Sequence, residues 1–207
     1  MRDVGLINYG ASNFTSVSNA LSYLDIDFVE IRSSDQLDAV RRVILPGVGS
    51  YAAAMRRLRE MCIIDALHDA VFLAQKPYLG ICVGLQILSD MGYEFEQTQG
   101  LGCIRGVTTQ LAVTELGLRL PHMGWNEVHA APGCALFDGL PEAPAFYFLH
   151  SFHLEVEDPD VTAATTKYGG EVVAAVRKEN IYGVQFHPEK SQAAGLQLLD
   201  NFARIGD

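Results

Sequence analysis

The chain has 207 residues, 49% of them apolar and 19% charged, and 15 Lys+Arg against 25 Asp+Glu give a net charge of −10. That length holds one or two domains with a sizeable core, and the composition is globular rather than disordered or fibrous. The acidic balance argues against a nucleic-acid or anionic-membrane surface, and no apolar run approaches the ~20 residues of a membrane-spanning helix.

The first half alternates strand-like and helix-like segments. Val4-Gly5-Leu6-Ile7 is a short apolar run that stops at the turn signal Asn8-Tyr9-Gly10. From Phe14 apolar residues recur at Val17, Ala20, Leu21 and Leu24, which is helical spacing that Ser12 or Asn13 can cap. Phe28–Ile31 alternates like a strand, and Asp35–Arg42 predicts a short helix. Val43-Ile44-Leu45 suits a strand buried on both faces of a parallel sheet, ending at Pro46-Gly47-Val48-Gly49. A helical stretch over Ala52–Leu73 follows, with a break near Met61. Residues 77–81 then predict a strand and Leu85–Met91 a helix.

This β-α-β-α order implies an α/β fold with a doubly wound, mostly parallel sheet flanked by helices. From about Gly100 the texture turns β-rich, with strand-like runs at 106–109, 145–149, 172–176 and 181–186. A closing helix carries Leu198, Leu199, Phe202 and Ile205 as its apolar stripe. No repeat or linker interrupts the chain, so residues 1–207 are expected to form a single domain. The N-terminus shows no signal-peptide layout. Cys62, Cys82, Cys103 and Cys134 form no C-x-x-C pair, which fits reduced thiols in a cytoplasmic protein.

Ligands of such sheets bind beyond the carboxyl ends of the strands. There the strongest local signal is Gly80-Ile81-Cys82-Val83-Gly84, between a strand and a helix. It has the nucleophile-elbow pattern with cysteine in place of serine. Small residues at 80 and 84 let the backbone pass through a tight turn, the helix N-terminus favours a thiolate, and the Val83 N–H points where an oxyanion forms. On the pentapeptide alone, an inert buried cysteine in a Gly-rich turn fits equally well.

Cysteine chemistry needs a base. Of the six histidines, His187 sits where a strand runs into His187-Pro188-Glu189, and Glu189 can turn back to hold the imidazole tautomer. Pro46-Gly47-Val48-Gly49 can offer a second oxyanion donor, since its glycines permit unusual backbone angles. His150-x-x-His153 lacks a third ligand at useful spacing for a metal. Arg56-Arg57-x-Arg59 reads as a solvated helix face. Trp125, out of context, reads as core.

Together these segments resemble the class I, triad-type glutamine amidotransferases, and within them the glutaminase subunits of imidazole glycerol phosphate synthase. The resemblance runs along essentially the whole chain. It includes Asn8–Val17, Leu45–Gly49, Leu79–Gln86, Pro121-His122-Met123-Gly124-Trp125-Asn126, Tyr147–Phe152 and Gly183–Ser191. The stretch from His122 to Asn126 selects this branch.

The resemblance implies that Cys82 attacks the glutamine side-chain amide and forms a γ-glutamyl thioester. His187, oriented by Glu189, would protonate departing ammonia and then activate water. The N–H groups of Val48 and Val83 would form the oxyanion hole, and Gly49, Gln86, Ser151 and Phe152 would bind glutamine. Ammonia would pass to a (β/α)8-barrel synthase subunit, the heterodimer partner, which makes imidazole glycerol phosphate and aminoimidazole carboxamide ribonucleotide in histidine biosynthesis. Asn13, Met123, Trp125, Tyr147 and Lys190 would face that partner. No metal or organic cofactor is implied. Asn8, Val83, Leu85 and Phe152 depart from the usual residues (aspartate, leucine, methionine and tyrosine), and none removes a catalytic group. The alternative is a paralogous subunit that supplies ammonia to another acceptor, such as a surface-polysaccharide sugar.

Overall fold

The computed structural model describes residues 2–10, 13–113 and 117–206. Ser12, one of the two candidate helix caps, lies outside them.

The first strand is β1 (Arg2–Ile7), followed by α1 (Phe14–Tyr23) and β2 (Phe28–Ile31). Asn13 occupies the α1 cap position, but its side chain makes no capping bond. The predicted helix over Asp35–Arg42 is instead a 3-10 turn, Ser34–Ala39, closed by a Ser33/Gln36 capping box. Val40 already belongs to β3 (Val40–Gly47), whose inward residues are buried from the outset. Arg42 disguised that start. It is a charged residue only 2% exposed, and its Nε donates to the Ile205 carbonyl at 2.7 Å.

The stretch after β3 divides close to the expected break, into α2 (Tyr51–Glu60) and α3 (Ile64–His68), the latter running on into a π turn at Asp69–Leu73. Next come β4 (Tyr78–Cys82) and α4 (Val83–Gln86). The predicted Leu85–Met91 helix is therefore a single turn that starts two residues earlier. Ser89 Oγ donates to the Gln86 carbonyl at 2.8 Å, and the chain leaves through β5 (Met91–Gly92).

The β-rich half contains β6 (Thr98–Gln99), β7 (Gly106–Gln110), β8 (His122–Glu127), β9 (His129–Ala130), β10 (Ala145–His150), β11 (Phe152–Val156), β12 (Thr162–Lys167), β13 (Glu171–Lys178) and β14 (Ile181–Val184). The last helix is α5 (Gln192–Arg204). Its Leu198, Leu199 and Phe202 are fully buried, as the stripe predicts, while Ile205 is the partly buried residue that ends the helix.

The main sheet has eight strands in the order β2-β1-β3-β4-β14-β13-β12-β9. From β2 to β14 every pairing is parallel; β13, β12 and β9 extend the sheet antiparallel. Two smaller sheets, β11-β7-β5-β6 and β10-β8, account for the rest, so the second half only partly extends the main sheet. Val43, Ile44 and Leu45 in β3 are fully buried, each worth about 1.5–3 kcal/mol against exposure. This core holds the carboxyl ends of β3, β4 and β14 side by side, with Gly47 opposite Cys82 and Val184 opposite Ile81.

Candidate active site

Three neighbouring strands deliver the chemistry-bearing residues to one place. At the end of β4, Cys82 has φ 55° and ψ −107°, a strained conformation for a residue with a side chain. The elbow is possible because its neighbours have none. A Cβ on Gly80 would lie 2.2 Å from the Gly84 carbonyl oxygen, and one on Gly84 would lie 1.9 Å from that of Leu45.

Cys82 is 4% exposed and opens onto a cavity of about 250 Å³. Val48, Gly49, Val83, Gln86, Ser151, Phe152 and His187 line the same cavity, so the expected glutamine-binding and oxyanion residues are brought together around the sulfur. Gly49 holds φ 92°, which glycine adopts without strain.

β14 ends at Val184, earlier than the sequence suggests, but the extended path continues. Gln185 N donates to the Ala174 carbonyl at 2.8 Å, and His187 N to the Tyr147 carbonyl at 2.8 Å. Ser191 Oγ then donates to the His187 carbonyl at 2.6 Å. These bonds aim the imidazole at Cys82, while its Nδ1 lies 2.7 Å from Glu189 Oε1. Asn13 Nδ2 donates to that same oxygen at 2.6 Å, which explains why Asn13 does not cap α1. Burial works against a charged His187, yet the sulfur and the Glu189 carboxylate overcome it and raise its pKa to about 10.

Three further residues join the site with roles that the sequence does not state. Gln185 is fully buried; its Nε2 faces Cys82 Sγ at 3.6 Å and its Oε1 accepts from Gln86 Nε2 at 3.2 Å. Glu94 is the one carboxylate among the described cavity-lining residues, and its Oε2 accepts from the Tyr51 N–H at 2.8 Å. Tyr9 lies beneath the elbow, where a Cβ on Gly47 would come within 2.8 Å of its hydroxyl. Burial first and Cys82 second hold the Tyr9 phenol above its ordinary range, while the Val48 N–H bears on it in the opposite sense. Tyr9 and Gln185 stand in stretches that the resemblance covers, but nothing in those stretches states where their side chains go, and Glu94 joins the cavity only through the fold.

The remaining expected residues lie outside the cavity. Met123 is 64% exposed and Trp125 50%. Tyr147 pairs with Trp125 across β10 and β8, with the rings edge-on at 6.2 Å, and Lys190 Nζ stands 5.9 Å over the Tyr147 ring. This apolar surface adjoins the site, since Leu149 is paired with Met123 and its carbonyl lies 4.0 Å from the sulfur. Asn8, one of the departures, makes its loop bonds: Oδ1 accepts from Gly10 N at 3.0 Å and Nδ2 donates to Glu30.

Burial disfavours the charged form of three nearby imidazoles. It lowers His122 to about 4 and His150 to about 3, and also lowers His153 against the opposing pull of Glu155. Below pH 6.5 the unfolded chain therefore binds protons that the folded chain refuses, so stability is lost as pH falls from 6.5 towards 4. Melting temperature across that range checks the sign; a constant value from pH 6.5 to 4 contradicts it.

The class-I glutamine amidotransferase family profile matches residues 6–205. The imidazole glycerol phosphate synthase subunit HisH 1 of Campylobacter jejuni subsp. jejuni serotype O:23/36 is 41% identical over 203 residues, spanning 98% of this chain and 100% of that one. The HisH subunit of Zymomonas mobilis subsp. mobilis is 43% identical over 203 residues, spanning 96% and 94%. Among solved structures, one described as a glutamine amidotransferase superposes with a TM-score of 0.75 at 20% identity, covering 96% of this chain and 98% of that one. PurLQS from Thermotoga maritima gives a TM-score of 0.75 at 20% identity, covering 96% of both chains. At that identity the likeness speaks for the fold alone.

Proposed function

This chain belongs to the class-I glutamine amidotransferases, and from that premise we propose that it is the glutaminase subunit of an imidazole glycerol phosphate synthase in histidine biosynthesis. The observation that carries the reading is the convergence of Cys82, His187 and the Val48–Gly49 turn on one cavity.

In this reading Cys82 Sγ attacks the glutamine amide carbon. The Gln185 amide supports the thiolate, and the N–H groups of Val48 and Val83 receive the oxyanion. A protonated His187 gives its proton to the departing ammonia, leaving the thioester. The neutral imidazole then takes a proton from water, which attacks the thioester and frees glutamate. Gly49, Gln86, Ser151 and Phe152 hold the substrate, and Glu94 faces its ammonium group.

Glu189 orients His187 and balances its charge. Glu189→Gln is expected to lower kcat by up to about 10⁴, the scale for a disturbed third triad member in another hydrolase. A loss below twofold contradicts that role.

Ammonia leaves beside Leu149, towards the surface formed by Met123, Trp125, Tyr147 and Lys190, with Asn13 nearby. A (β/α)8-barrel synthase subunit docks there in a cytoplasmic heterodimer. Exposed Met and aromatic anchors suit such a contact. Trp125→Ala is expected to weaken partner binding by about 2 kcal/mol in calorimetry; unchanged affinity would move the docking face elsewhere.

Val48 lines the cavity, and its backbone N–H is close enough to the Tyr9 hydroxyl to oppose the rise in the phenol's pKa. A loaded partner that turns this peptide towards the substrate would activate hydrolysis, which couples the two sites. A glutamine-bound structure of the free chain with that N–H already on the amide oxygen would remove this coupling.

A further inference from the structure

His122 and His150 are nearly inaccessible, at 3% and 5% exposed, and the thioester chemistry uses neither. They lie opposite one another on β8 and β10. We propose that they form a positioning relay, which fixes the Phe152 peptide at the rim of the glutamine cavity and ties it to the strand bearing Met123 and Trp125. The substrate half of this inference rests on the glutaminase reading; the relay itself rests on the geometry.

The contacts run in one direction. His150 Nδ1 lies 2.9 Å from the Phe152 carbonyl oxygen, which can only accept, so this nitrogen carries the proton. The Nε2 of a neutral His150 must then accept, and it does so from His122 Nδ1 at 3.0 Å. That leaves His122 Nε2 to accept from Asn126 Nδ2 at 3.2 Å. The Asn126 amide is itself fixed, because Nδ2 also donates to the Lys167 carbonyl at 2.9 Å and Oδ1 accepts from Glu127 N at 2.9 Å. The His122 ring is stacked between Phe148 at 4.6 Å and Tyr168 at 4.0 Å, so it cannot swing.

The receiving end is what gives the relay a purpose. The same Phe152 carbonyl also accepts from Gln86 Nε2 at 2.8 Å, and Gln86 continues through Gln185 to Cys82 Sγ. Both acceptor sites of the rim carbonyl are therefore filled, one from the nucleophile side and one from β8. A displacement of β8 by a docked partner would reach the substrate rim through two buried imidazoles.

The chain works only with both rings neutral, since a second proton on either would set N–H against N–H. Burial supplies that neutrality. Around His150 the titratable groups are His122, His153 and His187, and each would repel a proton there. Around His122 stand the Phe148 and Tyr168 rings, His150 and the neutral Asn126 amide.

Long-range ¹H–¹⁵N spectra of the full chain with ¹⁵N-labelled histidine test the relay without reference to activity. Both rings are expected as the neutral Nδ1–H tautomer from pH 7 to pH 5. An Nε2–H tautomer, or a proton on both nitrogens of either ring at pH 6, overturns the proposal. His122→Phe keeps the stack and removes the donor. With the barrel partner present, its KM for glutamine is expected to rise about tenfold with kcat within about twofold, the scale of one lost buried hydrogen bond. His122→Gln, which can still donate, should recover part of the loss. An unchanged KM, or a fall confined to kcat, counts against the relay. If the wild-type chain hydrolyses no glutamine, the glutaminase reading falls, while the imidazole spectra still decide the relay.

Discussion

Replacing Cys82 by alanine is expected to abolish glutamine hydrolysis, by about 10⁴-fold or more, as for removal of a covalent nucleophile elsewhere. No other thiol can substitute: Cys103 and Cys134 are buried away from the cavity-lining set, and Cys62 is on the surface. Without the sulfur, His187 still lines the site, but no thioester forms. The substitution removes one atom at a position already strained, so the fold and affinity for the barrel partner should survive. Labelled-glutamate release, with circular dichroism as a control, reads both. Undiminished turnover would contradict the assignment of Cys82, and an unfolded variant would mean that the cysteine is chiefly structural.

The second large effect is on stability. Gly84→Ala would place a Cβ 1.9 Å from the Leu45 carbonyl oxygen, a backbone atom of the buried β3 strand. Relief requires α4, which carries Gly84, to move away from β3 at Leu45. We expect a loss of about 4 kcal/mol or more, a large part of the ~5–15 kcal/mol of a typical domain. Urea denaturation measures it, and a melting temperature within about 2 °C of wild type would contradict the packing argument. Gly49 makes a useful contrast, since a Cβ there meets nothing within 4 Å. Alanine would cost only the strain of φ 92°, and it would act through the oxyanion turn rather than through the core.

What could be read from the sequence was local. The elbow was legible because Gly-x-Cys-x-Gly between apolar runs states its own geometry. The β3 interior was legible because Val43-Ile44-Leu45 is apolar on both faces. Two boundaries failed where tertiary contacts overrode composition. Arg41-Arg42 reads as the end of a helix, but Arg42 is held in the sheet by the Ile205 carbonyl. Residues after Gln86 have helical spacing, but Ser89 turns the chain back onto Gln86. Gln185 meets Cys82 across 103 residues, and the His122–His150 contact spans 28, so no window of sequence contains either. The resemblance supplied the glutamine-binding residues, while Glu94, Tyr9 and Gln185 needed the fold.

The central claim is that this chain hydrolyses glutamine through Cys82 under the control of a synthase partner. The most direct measurement is the initial rate of glutamate release by the purified chain, alone and with the imidazole glycerol phosphate synthase barrel subunit and its nucleotide substrate. The account predicts slow release alone and stimulation of about a hundredfold with the loaded partner, the scale of one recovered oxyanion donor. Full activity without a partner, or no glutamate release under either condition, would contradict it.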